Sequence, residues 1–310
     1  MEMSLLLIKN IAELFIIILI GYILVKTKIL KESDGKVLST IVLYGAAPCA
    51  IINSFQIKAT SETMSGLMLA FLGAAIVNLS YIIMTKFISK PFGFTPIERA
   101  SIIYSNSGNL IFPLVTAILG GEWVLYASGY MVLQTVLMWS HGKSLVCNEP
   151  SIDIKKILLN VNMIAIFIGA FLFITKITLP AVITETMSTV GSLMGPLSMM
   201  VIGMGIANMN ISNIFSDKRV YLIAFLRLVA YPLVMILLFK VLPVTSMHAQ
   251  GKDIIMITML AAAAPVASSI TQFAQIYNKH PGYASVINVM TVIFCIVTMP
   301  LMIMLYQWII

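Results

Sequence analysis

Long apolar runs dominate this sequence, and short polar breaks separate them along its whole length. Each run is about twenty residues long, the length that an α-helix needs to cross the hydrocarbon core of a bilayer. A membrane β-barrel would instead show alternating hydrophobicity over segments of about ten residues. Of the 310 residues, 60% are hydrophobic and 10% are charged, whereas soluble domains carry roughly 25% charged residues. The sequence therefore predicts an all-α membrane protein in the lipid bilayer, without a separate soluble domain.

Ten runs are long enough to be spans, and positive charge is divided unequally among the loops between them. The predicted spans cover 5–25, 36–56, 63–88, 97–119, 122–142, 156–175, 183–208, 219–240, 253–275 and 282–308. The odd-numbered loops hold thirteen of the nineteen Lys and Arg residues, an excess that is typical of cytoplasmic loops. We therefore predict a multi-pass protein of the cell (plasma) membrane with both termini extracytoplasmic.

An internal repeat emerges when the chain is divided after the fifth predicted span. Three pairs of features recur in the same order at offsets of 148, 152 and 157 residues. They are Pro48 with Pro196, Pro113 with Pro265, and "YASGYMV" at Tyr126 with "YASVINV" at Tyr283. Because each half holds an odd number of spans, the second half (146–310) would run through the membrane inverted relative to the first (1–145). Inverted repeats are typical of secondary transporters.

The fourth predicted span contains a polar stretch, "YSNSGNLIFPLVTAILGG", at membrane depth. Pro113 lacks the N–H that would bond the carbonyl of Asn109, and Gly108 lowers helix propensity further, so we predict a broken helix. A broken backbone at this depth must be satisfied by protein or by a water-filled cavity. The side chains that could supply those partners are Ser105, Asn106, Ser107 and Asn109.

The ninth predicted span repeats this design around Pro265, which frees the carbonyl of Ala261 and is followed by Ser268. Helices that restart after a break point their N-terminal N–H groups and partial positive charge toward it, which favours a bound anion. In the alternative interpretation both prolines merely kink packed helices. Their pairing in symmetry-related spans favours the transporter interpretation.

Several stretches resemble the auxin efflux carrier family, which includes plant PIN proteins and bacterial carriers of malate, malonate and related carboxylates. They are "YGAAPCAIINSF" in the second span, "SNSGNLIFPLVTAILG" in the fourth, "VLQTVLMW" in the fifth, and the C-terminal block that contains "YNKHP". The resemblance extends essentially from end to end. It implies ten transmembrane helices as two inverted five-helix repeats with crossed, broken helices 4 and 9, as in bile-acid symporters and NhaA-type antiporters. It also implies a homodimer in which a transport part of helices 3–5 and 8–10 moves like an elevator against a scaffold part of helices 1, 2, 6 and 7.

The resemblance also implies roles for individual residues. Asn106 would donate its amide to a substrate carboxylate, and Gln134 would line the same cavity. Bacterial members often carry an arginine where this chain has Ser105, which leaves a preference for dicarboxylates open. The predicted substrate-binding residues are Asn106, Ser105, Asn109, Gln134, Asn53, Ser268 and Arg227, and the predicted crossover residues are Pro113, Pro265 and Gly108.

Charged residues inside predicted spans are costly and are therefore functional candidates. Arg227 lies eight residues into its predicted span. Its permanent charge and bidentate geometry suit a substrate carboxylate, although the side chain could equally snorkel toward the cytoplasmic side. Lys9 and Glu13 are four residues apart on one helix face and could pair, and at this depth Lys9 could also snorkel outward.

A sodium- or proton-coupled cation antiporter, or a bile-acid-like symporter of the same architecture, is the main alternative function. A cation site would need a carboxylate near the crossover, and the sequence has no Asp or Glu between Arg99 and Gly121 or between Ile254 and Gln275. A channel or a receptor stays open. The sequence contains no HExxH or GxSxG motif of an enzyme, no clustered cysteines for a metal and no basic face for nucleic acid. We therefore predict a secondary carrier of small organic anions, such as malate, malonate or auxin-like acids, without a cofactor.

Overall fold

The computed structural model describes residues 13, 16–147, 152, 154–207 and 217–310. Within these ranges the regular backbone is helical, and the one contact of β type is an isolated antiparallel bridge between Ser105 and Val266. Lys9 lies outside the described residues, so its pairing with Glu13 stays a prediction.

Seventeen α-helices occur in the described ranges, and several are joined end to end by short turns of π-helix. The helices are α1 (Ile16–Lys26), α2 (Gly35–Ile41), α3 (Ala47–Ser54), α4 (Ser61–Phe92), α5 (Pro96–Ile103), α6 (Phe112–Ile118), α7 (Val124–Leu137), α8 (Lys143–Cys147), α9 (Ile154–Leu158), α10 (Val161–Thr175), α11 (Ala181–Ser192), α12 (Met194–Ala207), α13 (Lys218–Phe225), α14 (Tyr231–Val241), α15 (Gly251–Ala262), α16 (Ser268–Ile276) and α17 (Pro281–Ile309). The π-helical turns are Val42–Ala46, Ser107–Ile111, Met138–Gly142 and Leu226–Ala230.

Five helical stretches of the described chain are long and apolar enough to cross a membrane. They are Gly35–Ser54, Ser61–Phe92, Ala181–Gly205, Lys218–Val241 and Pro281–Ile309, and the shorter α1 and α10 are also apolar. These stretches confirm the predicted class, an all-α membrane protein. The predicted fourth and ninth spans are instead divided into shorter helices, because the backbone leaves the helix near residues 104–106 and 263–267. The count of ten spans stays a prediction.

The described residues form two compact units, and both halves of the chain contribute to each of them. The first unit comprises described residues of 1–64, 108–128 and 158–210, and the second comprises those of 65–107, 129–157 and 211–310. The predicted halves, 1–145 and 146–310, and the predicted scaffold and transport parts stay predictions.

In the first unit, α1 and α12 approach each other at glycines. A Cβ atom on Gly203 would lie 1.9 Å from the carbonyl oxygen of Ile18, and one on Gly21 would lie 2.2 Å from that of Met200. Real Cβ atoms do not come this close to backbone, so the two helices can touch only because both positions lack a side chain. Small residues of this kind are typical of close helix packing in membranes.

We expect Gly203→Ala to lower the apparent free energy of unfolding by about 1–3 kcal/mol, since the added methyl group must push the two backbones apart. Gly205→Ala is the matched control, because a Cβ atom at Gly205 meets nothing within 4 Å and alanine favours a helix over glycine. Thermal unfolding of the detergent-solubilised protein, followed by intrinsic fluorescence, measures both variants. Equal unfolding midpoints for the two variants would contradict the close approach of α1 and α12.

In the second unit, a buried ion pair anchors the start of α5. Thr95 and Glu98 form a capping box, in which Glu98 Oε2 accepts a hydrogen bond from the backbone N–H of Thr95 at 2.7 Å. Glu98 is fully buried. Its carboxylate also accepts hydrogen bonds from the guanidinium of Arg219 and, at 2.8 Å, from the hydroxyl of Tyr283. One carboxylate thereby joins the starts of α5, α13 and α17.

Candidate functional site

The chain leaves the helix between the end of α5 and the π-helical turn that begins at Ser107. Tyr104 has extended backbone angles, φ −101° and ψ 125°. The sequence analysis placed this break near Asn109, four residues before Pro113. The structure shows the complete interruption earlier, at residues 104–106, whereas Pro113 follows the π-helical turn Ser107–Ile111 without a gap. The altered hydrogen bonding of this π-helical turn accommodates the missing N–H of Pro113 inside a continuous helical stretch. The break therefore comes earlier in the chain than predicted.

A second break separates α15 from α16, and Pro265 lies inside it. The two breaks run side by side and antiparallel. The backbone N–H of Asn106 donates to the carbonyl of Pro265 at 2.8 Å, and the N–H of Ala267 donates to the carbonyl of Tyr104 at 3.0 Å. We call residues 104–106 and 263–267 the paired segments. Their mutual hydrogen bonds satisfy part of the backbone that the breaks release from the helices.

Arg227 binds three further carbonyls in and next to the paired segments. Its side chain is fully buried and belongs to the π-helical turn after α13. Nε donates to the carbonyl of Ala264 at 3.0 Å, and Nη1 donates to the carbonyls of Ile102 and Ile103 at 3.1 and 3.2 Å. The carbonyls of Ile102 and Ile103 lie at the C-terminal end of α5, and that of Ala264 lies two residues beyond the end of α15. Helix dipoles concentrate partial negative charge at such C-terminal ends. The guanidinium therefore caps two helix C-termini at once.

The environment of Arg227 combines an aromatic face with one unused donor. Its guanidinium lies over the ring of Tyr81, 5.3 Å from the centroid. Nη2 is buried and has no hydrogen-bond partner among the residues that the structure describes. The structure thus places this side chain in the interior, away from an interfacial snorkelling position, and its predicted role toward a substrate carboxylate stays a prediction.

Gln134 holds the first paired segment through both ends of its amide. Nε2 donates to the backbone carbonyl of Ser105, while Oε1 accepts from the Ser105 hydroxyl at 2.9 Å. Gln134 and Ser105 are 3% and 1% exposed. Because both ends of the Gln134 amide are used in this way, these two predicted site residues bind each other in the described structure.

Two further side chains hold the second paired segment, and a third binds the last residue of α15 just before it; none of the three is among the predicted site residues. Asn288 donates its amide to the carbonyl of Val266 at 3.0 Å, and Thr291 accepts from the N–H of Val266 at 3.2 Å. Tyr81 donates to the carbonyl of Ala262 at 3.1 Å. Asn288 and Thr291 are three residues apart on one face of an otherwise apolar helix, and that polar pair is the signal that could have identified them.

Two predicted ligands have unused polar side chains: Asn106, in the first paired segment, and Ser268, directly after the second. Asn106 is half-buried, and Ser268, the first residue of α16, is also half-buried. Neither side chain has a hydrogen-bond partner within the described part of the chain. The structure does not describe the side chains of Asn109 and Pro113. These two residues, Gly108 and Asn53 belong to the first unit.

The donors of this region are amides and hydroxyls together with the guanidinium of Arg227, and the sequence around the breaks contains no acid. The stretches 100–121 and 254–275 contain no Asp or Glu. No group of three His, Cys, Asp or Glu side chains comes together in the described residues. Amide and hydroxyl donors beside helix N-termini are suited to hold an anion.

Comparison with known proteins gives a family match over nearly the whole chain. The family model described as "Membrane transport protein" matches residues 6–150 and 147–303. A search of characterised proteins found no match.

Proposed function

Because the chain belongs to the membrane transport protein family, the auxin efflux carrier family, we propose that it is a secondary carrier of small organic anions. Membership of this family makes the protein a membrane transporter. The substrates that we propose are carboxylates such as malate, malonate or auxin-like acids. The binding site that we propose lies at the paired segments, with Asn106 and Ser268 as its first ligands.

One observation carries this proposal: the partial charges of the helix C-termini at the breaks have a charged partner, and those of the N-termini do not. Arg227 donates to the carbonyls at the ends of α5 and α15, so the partial negative charges there have a partner. The helical turns that restart at Ser107 and Ser268 have no acidic residue in the flanking sequence. Their N-terminal N–H groups carry partial positive charge, which supports binding of an anion.

We also propose the ten-helix arrangement of two inverted five-helix repeats, with helices 4 and 9 crossing at the paired segments. Gln134 hydrogen-bonds to Ser105, and Thr291 hydrogen-bonds to Val266, the residue that Ser105 opposes. Gln134 and Thr291 are 157 positions apart, the same offset that relates "YASGYMV" to "YASVINV". A fifth helix in each repeat would then support the break of its own repeat.

The mechanism that we propose is elevator-like alternation in a homodimer of the plasma membrane, with both termini extracytoplasmic. The second unit, which is compact by itself and contains the paired segments, supports a transport part that moves as one body. Helices 3–5 and 8–10 would form most of it, and helices 1, 2, 6 and 7 would form the scaffold. The absence of acidic residues around the breaks disfavours the alternative of a cation antiporter.

Uptake into proteoliposomes tests this function. We expect saturable uptake of labelled malate, malonate or indole-3-acetate, and we expect Asn106→Ala to reduce it roughly tenfold, since a hydrogen bond to a charged group contributes about 1.5–3 kcal/mol. Thr175→Ala, which removes an exposed hydroxyl from α10 in the first unit, is the control and should transport normally.

Four outcomes of this experiment separate the parts of the proposal. Undiminished uptake by Asn106→Ala would contradict the assigned site but not the function. Non-saturable flux would indicate a channel. Uptake that requires a sodium gradient would favour the symporter alternative, and no uptake of any anion would contradict the proposed substrate class.

A further inference from the structure

Tyr104 connects the first paired segment to a histidine. Its backbone carbonyl accepts the hydrogen bond from Ala267 that pairs the two breaks. Its side chain is fully buried. The hydroxyl oxygen lies 2.7 Å from Nδ1 of His141 and 3.2 Å from the carbonyl oxygen of Leu137. A Cβ atom on Gly142 would lie 2.9 Å from the Tyr104 ring, so the ring packs tightly against the turn that carries His141.

The single hydrogen of the phenol cannot serve both neighbours. If His141 Nδ1 carries no proton, it can accept from Tyr104, and the Leu137 carbonyl then loses this donor. If the imidazole is doubly protonated, Nδ1 can only donate, so the phenol hydrogen must point to Leu137. Protonation of His141 therefore fixes the Tyr104 hydrogen bond toward Leu137, whereas the neutral imidazole with its proton on Nε2 can accept that hydrogen bond. Hydrogen bonds of a charged imidazole are shorter and stronger than those of a neutral one.

His141 is half-buried in the π-helical turn Met138–Gly142, so a proton can reach it. The charged and titratable groups around it come from few elements. From α5, Arg99 acts on the imidazole electrostatically and Tyr104 contacts it. Lys143 lies two residues after His141, at the start of α8. The neighbouring helix α16 contributes an uncharged contact, that of Phe273 with Trp139 in the π-helical turn of His141.

A histidine is the side chain whose charge normally changes between about pH 5 and pH 8. His141 is the histidine whose described side chain contacts a residue of the paired segments. The sequence flanking the breaks contains no Asp or Glu that could bind a proton in its place. We propose that His141 is a proton-binding site and that its protonation affects the paired segments through the hydrogen bond of Tyr104. The consequence for transport, that uptake depends on pH through His141, rests on the proposed function.

Magnetic resonance tests the proton site without any transport. The chain has three histidines, His141, His248 and His280, so histidine-labelled protein gives three imidazole signals, and His141→Gln identifies the one of interest. We expect Tyr104→Phe, which removes only the hydroxyl, to shift the titration midpoint of His141 and to leave that of His248 in place. An unchanged His141 midpoint in Tyr104→Phe would overturn the inference.

Hydrogen exchange tests the connection to the paired segments. After correction for intrinsic exchange rates, we expect the protection of residues 262–270 to differ between pH 5 and pH 8 in the wild-type protein, the range over which a histidine can change its charge. His141→Gln should abolish that difference, and His248→Gln should keep it. The same difference in wild type and His141→Gln would overturn the connection.

Uptake of malonate across the same pH range adds the functional result. We expect a change of about fivefold or more in the wild type, the lower range of typical coupling between sites, and a flat profile for His141→Gln. A pH profile of His141→Gln that matches the wild type would overturn the transport consequence. If no anion is transported, the proposed function fails, while the resonance and exchange experiments still decide the proton site.

Discussion

Replacing Arg227 with methionine is expected to lower the apparent free energy of unfolding by roughly 3–5 kcal/mol, because buried carbonyls would lose their donor. Methionine fills a similar volume but cannot donate to the carbonyls of Ile102, Ile103 and Ala264, which the arginine now satisfies. Water cannot replace it easily, since the site is fully buried. Thermal unfolding in detergent, followed by intrinsic fluorescence or size-exclusion chromatography, measures the loss.

Two companion variants sharpen the Arg227 result. Lys240→Met removes a positive charge from an exposed position of α14 and should change stability by at most about 0.5 kcal/mol. Arg227→Lys keeps the charge but concentrates its donors on one nitrogen, so it should recover part of the loss and not all of it. If Arg227→Met is as stable as Lys240→Met, the guanidinium does not support the helix ends.

Glu98→Gln is expected to give the second large effect, a loss of about 2–4 kcal/mol. The substitution preserves shape, but it removes the negative charge and turns an amide toward the donors of Arg219. It also weakens the capping box at the start of α5. The figure stays below that for a fully enclosed ion pair because the Arg219 side chain is 39% exposed.

Tyr283→Phe is the matched control for Glu98→Gln. It removes one neutral donor to the same carboxylate and should cost about 1 kcal/mol. Thermal unfolding of both variants, under the conditions used for Arg227, gives the comparison. If Glu98→Gln costs no more than Tyr283→Phe, then the charge of Glu98 contributes little and the hydrogen bonds alone hold the three helix starts together.

The sequence predicted the class of fold and much of the region of interest, but it misplaced one break. Pro265 lies within the second break. A break at this position is expected, because proline has no N–H to continue the helix. Pro113 does not mark the first break, because the chain can enter a π-helical turn at Ser107 and then place this proline in the first turn of α6. A proline removes one backbone donor and disfavours helical geometry in the residue before it. Whether the helix breaks at that point or earlier depends on which backbone carbonyls find side-chain or backbone donors elsewhere in the fold.

The sequence alone determined that this protein is a helical membrane protein with a polar region inside it, because span length, apolar composition and the missing N–H of proline are local properties of the chain. Tertiary structure decided how that region is supported. Arg227, Gln134 and Asn288 are separated by more than twenty residues along the chain from the carbonyls that they bind. Such partners depend on position in space, which no sequence spacing specifies, and a buried carbonyl must find a donor wherever the fold brings one.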